Sequence, residues 1–295
     1  MKSMNMMRRA LSRSGILCFL ILLGLPSWAF GADSGRLKSI SGILQSSSLS
    51  KAEQTEVHDR AAAAINAGVS ADDVEIILSR SIRRGADAGT ISRFLDTGAS
   101  TKQQGLPVAP VLDRIEQGLS KGVPPERIAV AARELASKMA VAQPIVDDLI
   151  RNGVKPKQKN ERDAAIEATA RALEKSILAE DLKRLSASIR EKKGSLPLFT
   201  SSANAAAYFA GSGMSAKTSS NLVRNAVDKG YSERDIDGMV KEIADRMTRG
   251  ARAEDAVMQM ERERMQGGRE MEREMGGRGG MGSGSGAGGM GGHRK

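Results

Sequence analysis

Self-similarity at a fixed spacing constrains this chain more than any other feature. Gly68, Gly122 and Gly230 stand in the contexts Ala67-Gly68-Val69-Ser70, Lys121-Gly122-Val123-Pro124 and Lys229-Gly230-Tyr231-Ser232, separated by 54 and 108 residues. The missing unit centres on Ser176, in Lys175-Ser176-Ile177-Leu178, and the frame needs no gap.

Several columns agree in this frame. Ile65, Leu119, Leu173 and Val227 precede the turn, and Val69, Val123, Ile177 and Tyr231 follow it. Val74, Ile128, Leu182 and Ile236 come next, then Ile77, Ala131, Leu185 and Met239. Leu135, Ile189 and Ile243 complete the set, with Ser81 in the first unit. The last three columns recur at i, i+3 and i+7, the apolar stripe of a helix.

Each unit therefore predicts a helix, a tight turn and a second helix. Glycine at Gly68, Gly122 and Gly230 suits a left-handed helix end, and the apolar residue after it can pack back on the last turn. Ser70 with Asp73 and Ser232 with Asp235 read as capping boxes. Pro124 and Pro125 suit a first helical turn. The leading helices are expected to start at Ser50 (with Glu53), near Pro107–Pro110, at Asn160 (with Asp163) and at Ser215. A third helix is expected in the first two units, where Ile91 and Leu95 align with Ile145 and Leu149. In the third unit, Gly194 to Gly213 reads as a loop with a short helix at Ala203–Ala210. No sustained period-two run or Asn-Gly hairpin turn signals a strand.

The expected fold is all-α: an array of short antiparallel helices on a 54-residue repeat, either an α-solenoid-like array or an irregular bundle. It resembles an α-solenoid in general style only. The helical domain covers residues 50–260, with units near 50–103, 104–157, 158–211 and 212–260. Residues 32–49 are expected to be a flexible lead-in.

Residues 1–31 read as a secretory signal. Lys2, Arg8, Arg9 and Arg13 precede an apolar run from Ile16 to Leu25, Pro26 breaks it, and Ala29-Phe30-Gly31 supplies small residues for cleavage after Gly31. The run is about ten residues, against roughly 20 needed to span a bilayer as a helix, so a retained anchor is the weaker reading. Removing four basic residues and no acid lowers the formal charge from +10 to +6. Cys18 and Trp28 leave as well, so the product has no Cys and only Phe94, Phe199, Phe209, Tyr208 and Tyr231 as aromatics. These properties point to a bacterial periplasmic or secreted protein with no stable membrane span.

The C-terminal composition changes abruptly. Residues 261–275 alternate Glu, Arg and Met, and read as a charged helical, coiled-coil-like extension. Residues 276–295 are mostly Gly with scattered Met, and are expected to be disordered. Met258, Met260, Met265, Met271, Met275, Met281 and Met290, with His293, are soft donors that could take Cu(I) or Ag(I). Their irregular spacing fits a flexible solvated tail better.

The remaining candidates favour structural roles. Arg-Gly elements such as Gly277-Arg278-Gly279-Gly280 lack the aromatics of nucleic-acid-binding segments, so nucleic acid is not an expected partner. The positive charge could favour anionic envelope surfaces, but Arg80, Arg83 and Arg84 read as a solvated helix face. His58 reads as a boundary residue. Asp72-Asp73 and Asp147-Asp148 read as helix-start acids serving caps and the macrodipole, and Glu126 and Glu180 share an equivalent first-turn position. Gly211-Ser212-Gly213 lacks the Lys-Ser/Thr of a phosphate loop.

No catalytic, cofactor or metal residue is assigned. The expected function is a non-catalytic interaction or scaffold protein of the cell envelope, whose partner is a protein or an envelope polymer. Soft-metal binding through the Met-rich tail is the first alternative. A carboxylate-dependent cell-wall enzyme is the second, and it lacks any marked pair of acids.

Overall fold

The computed structural model describes residues 30–260, 262 and 263, with side chains from residue 35 onward. Most of the signal reading, and the tail readings apart from residues 262 and 263, lie outside the described residues. Among those described, the secondary structure is helical throughout, with no strand. No helix among them is long and apolar enough to cross a membrane.

Eleven helices follow in order: α1 (Phe30–Gln45), α2 (Lys51–Asn66), α3 (Ala71–Arg83), α4 (Ala88–Gln103), α5 (Ala109–Ser120) and α6 (Pro125–Arg151); then α7 (Glu161–Glu174), α8 (Ala179–Glu191), α9 (Leu196–Gly211), α10 (Ala216–Asp228) and α11 (Glu233–Thr248). A further helical stretch covers 253–260. The starts of α3, α6, α8 and α11 fall at 71, 125, 179 and 233, each 54 residues after the last. The aligned columns make the core: Val74, Ile128, Leu182 and Ile236 are all buried, as are Leu135, Ile189 and Ile243.

One corner recurs at the C-terminal end of every helix from α2 to α11. At Ser176, for example, the Ser176 N–H donates to the Leu173 carbonyl (3.2 Å) and the Ile177 N–H to the Ala172 carbonyl (3.1 Å). This pair of bonds satisfies two otherwise orphaned carbonyls at the helix end. The same pair recurs at Gly68, Gly85, Gly105, Gly122, Gly153, Lys193, Gly213, Gly230 and Gly250. Those ten positions all have positive φ, and only Ser176 (φ 64°) and Lys193 (φ 53°) are not glycine.

Caps follow expectation at Ser50–Glu53 and Ser232–Asp235, where both bonds of the box form. Ser70 makes no side-chain cap bond to α3, and Asn160 makes none to α7. Asp73 instead sits partly buried, facing Asp72 and Asp113, and its carboxyl is held above the ordinary Asp range, chiefly by burial and then by those neighbours.

Three expectations need correction. The segment 32–49 contains α1, whose Ile40 and Leu44 are buried in the core with Leu37 packed beside them. Leu37, Ile40 and Leu44 supply an i, i+3, i+7 stripe. Second, α9 fills most of the presumed loop from Gly194 to Gly213, with Ser195 capping its start. It lies 108 residues after α4, matched at both ends. Third, α6 is a single 27-residue helix containing Pro144, so Asp147-Asp148 lies near a helix end, not a start. Buried Met139 stands where Gly85 and Lys193 make corners; no glycine interrupts the helix formers around it, so the helix continues.

The helices form two rows. Every substantial packing contact among the eleven joins a helix to the next or the next but one. One row runs α2, α4, α6, α8, α10; the other contains α1, α3, α5 and then α7, α9, α11. Between α5 and α7 the second row lacks close backbone packing and is tied by Arg114, whose two guanidinium nitrogens donate to both Glu174 oxygens (3.1 and 3.2 Å). Units one and three have three helices while unit two, where α6 fuses two, has only two, so equivalent helices fall in different rows: α3 and α11 lie in one, α6 and α8 in the other. The repeated sequence alone therefore does not set which row a helix enters.

Candidate docking groove

Most residues singled out in the sequence have structural partners. Asp72 pairs with Arg36 (2.8 Å), Asp148 with Arg151 (3.5 Å) and Glu180 with Lys183 (2.7 Å). Asp147 accepts two bonds from Arg162 (2.7 and 3.0 Å), which also donates to the Gly105 carbonyl. This contact first, and then the negative charge of Asp147 and Asp163, raises the Arg162 pKa against the effect of burial. His58 is half-buried beside Asp59 (3.7 Å).

Arg80, Arg83 and Arg84 line a 360 Å³ cleft with Leu119 and Ser120. Arg80 reaches Glu116 (3.0 Å) and the Ser120 hydroxyl (3.2 Å), while Arg84 donates to the Ser120 carbonyl (3.0 Å). Two of these three arginines therefore tie α3 to α5. Met260 is buried in the core while Met258 is exposed; the other Met residues of the tail and His293 lie outside the described residues. Among the described residues no group of three His, Cys, Asp or Glu is placed to hold a metal. Gly211-Ser212-Gly213 forms the corner after α9.

A larger groove of 680 Å³ lies over α9. Its floor is Ser201, Asn204, Ala205, Ala207 and Tyr208; α7 supplies Arg171 and Glu174 on one side, with Lys175 just beyond its end, and α11 supplies Asp237, Val240 and Lys241 on the other. The groove follows from side-chain length. Helix α9 packs against both α7 and α11, and its outward positions carry mainly short side chains, so the longer ones of its neighbours rise as walls. Behind the floor, Ala203, Ala206, Phe199 and Phe209 are buried, and the Phe209 ring meets Tyr208 edge-on at 5.8 Å.

The charges of the groove divide into spent and unspent. Arg114 and Glu174 hold each other, and Arg171 is held by Glu167. The side chains of Ser201, Asn204, Tyr208, Lys175, Lys241 and Asp237 have no intramolecular hydrogen-bond or ion-pair partner among the described residues. Tyr208 is 38% exposed, the most exposed aromatic side chain described. A second cleft between α6 and α8 measures 540 Å³, but Asp148 and Arg151 pair with each other, and Lys183 is taken by Glu180. The groove over α9 combines ligand-sized volume with several unspent polar groups, which neither the α3 cleft nor the α6–α8 cleft does.

Sequence reasoning placed a short helix at Ala203–Ala210 but missed its full length, Leu196–Gly211, and the neighbours that wall it. The available signal was Ser195, a capping residue before an apolar run, with Pro197 in the first turn of the helix. No protein family, curated protein or solved structure matches the chain at a significant level.

Proposed function

We propose that this is an exported bacterial protein of the cell envelope, and that its helical array serves as a non-catalytic scaffold which docks a partner in the groove over α9. The observation that carries the reading is the set of unspent polar groups around Tyr208 on a rigid floor. Sites built on helices hold their side chains more firmly than sites on loops. The groove's two carboxylates support binding over acid–base chemistry, because both oxygens of Glu174 are occupied by Arg114, leaving Asp237 alone. The signal reading of residues 1–31 supports export.

The test is crosslinking of the tagged protein in intact cells, with fractionation of the envelope. The expected result is a reproducible partner in the exported fraction, lost with Asn204→Ala plus Tyr208→Ala. A cytoplasmic protein, or a partner retained by that double variant, contradicts the proposal.

A further inference from the structure

The groove's chemistry specifies its occupant more closely; this inference rests on the docking reading above. We infer that the groove binds an extended acidic peptide segment of a partner protein.

Charge comes first. With Arg114 and Arg171 already matched by Glu174 and Glu167, the unspent charges are Lys175 and Lys241 against Asp237. Asp237 and Lys241 are four residues apart on α11, which places them on one face. Lys175 therefore remains as the uncompensated cation. Its stem lies along the end of α9, 3.3 Å from where a Cβ on Gly211 would stand. A ligand carboxylate at that end of the groove completes the charge balance.

Hydrogen-bonding capacity comes second. Two ammonium groups, a carboxamide, a hydroxyl and a phenol offer many donors, against one free carboxylate. That surplus suits a ligand rich in acceptors, as peptide carbonyls and acidic side chains are. The Asn204 carboxamide carries both a donor and an acceptor, the same complement as a peptide unit. A sugar chain, whose hydroxyls also need acceptors, finds only Asp237 and the neutral oxygens.

Spacing comes third. Ser201, Asn204 and Tyr208 recur at i, i+3 and i+7 along α9, one face of the helix. Asn204 and Tyr208 are separated by a rise of about 6 Å along the axis. Same-facing groups of an extended peptide recur about 6.7 Å apart. An extended backbone can therefore meet Asn204 with one peptide unit while laying the next side chain but one against the Tyr208 ring.

The experiment titrates the full chain with fluorescein-labelled octapeptides: one Glu-rich with a single Leu, one Lys-rich, and one Ser/Gly control. An oligogalacturonate serves as an anionic sugar competitor. The expected result is saturable binding of the acidic peptide alone, weakened by salt. Lys175→Glu plus Lys241→Glu should weaken it about tenfold or more, since like charges now face each other. Asn204→Ala should weaken it about threefold or more through the lost hydrogen bonds. Arg83→Glu, on the distant α3 cleft, should leave it unchanged, and thermal melts check that each variant is folded.

No binding of the acidic peptide, equal binding by the Lys-rich one, or full affinity in the double-Glu variant overturns the inference. Binding of the oligogalacturonate in place of the peptide overturns it as well. If a partner is crosslinked in cells but the acidic peptide does not bind, the docking role stands and the acidic-peptide specificity falls.

Discussion

Ser176→Gly should stabilise the protein, although it removes a side chain and adds no contact. Ser176 adopts φ 64° at the corner between α7 and α8, whereas the equivalent positions are Gly68 (φ 93°), Gly122 (φ 70°) and Gly230 (φ 84°). A left-handed conformation costs an ordinary L-residue about 1–2 kcal/mol. Glycine removes that cost but gives the unfolded chain about 0.4–1 kcal/mol of extra entropy. The net expectation is a gain of about 0.5–1 kcal/mol, which in a domain of this size raises the melting temperature by about 1–4 °C. Both corner hydrogen bonds come from the backbone and are retained. Thermal melts and urea titrations of wild type, Ser176→Gly and Ser176→Ala form the assay, with Ser176→Ala keeping the strain and gaining nothing. The reverse change, Gly230→Ala, should lose a similar amount, since nothing lies within 4 Å of its added Cβ and only the backbone opposes it. A melting temperature for Ser176→Gly at or below wild type would refute the corner argument.

Two further expectations concern packing and pH. Gly118→Ala should cost about 1–3 kcal/mol by overpacking, because its Cβ would stand 2.7 Å from Ile128 Cγ1 where α5 meets α6. Gly238→Ala, at an exposed position of α11 with nothing within 4 Å, should instead gain about 0.5–1 kcal/mol from helix propensity; equal effects in the two melts would contradict the close crossing. Burial beside Asp72 and Asp113 raises the folded pKa of Asp73. Its contribution is therefore greatest below the unfolded pKa and is lost as pH rises through the folded one. Asp73→Asn should gain stability relative to wild type at neutral pH, and that advantage should shrink as pH falls toward 4; urea midpoints between pH 3.5 and 7 read it, and a pH-independent difference would count against the burial argument.

The fold was legible where the core leaves a periodic trace. Val74, Ile128, Leu182 and Ile236 recur in sequence and are buried in the structure because each is the first inward residue of the helix after a corner. Only Ala203–Ala210 of helix α9 was legible, because Leu198, Phe199, Ser202, Ala203, Ala205, Ala206 and Phe209 are buried around much of its circumference. A helix enclosed in this way keeps only a narrow polar edge, here Ser201, Asn204 and Tyr208, too thin to set a clear period. Helix α1 carries the right stripe, but Ser and Gly between its apolar residues read as a linker. The joining of one unit's second and third helices into α6 turns on one substitution, Met139 at a corner position. The groove depends on which row each helix enters. Equivalent helices change rows, so no local pattern announces that Asn204, Tyr208, Lys175 and Lys241 will meet.

Docking of a partner over α9 predicts that this face is occupied in the cell. A photoreactive amino acid placed at Tyr208 should give a discrete crosslinked species in intact cells. The same residue placed at Val130, 55% exposed on α6 in the other row, should give none. Equal crosslinking from both positions, or capture from 130 alone, would contradict the claim.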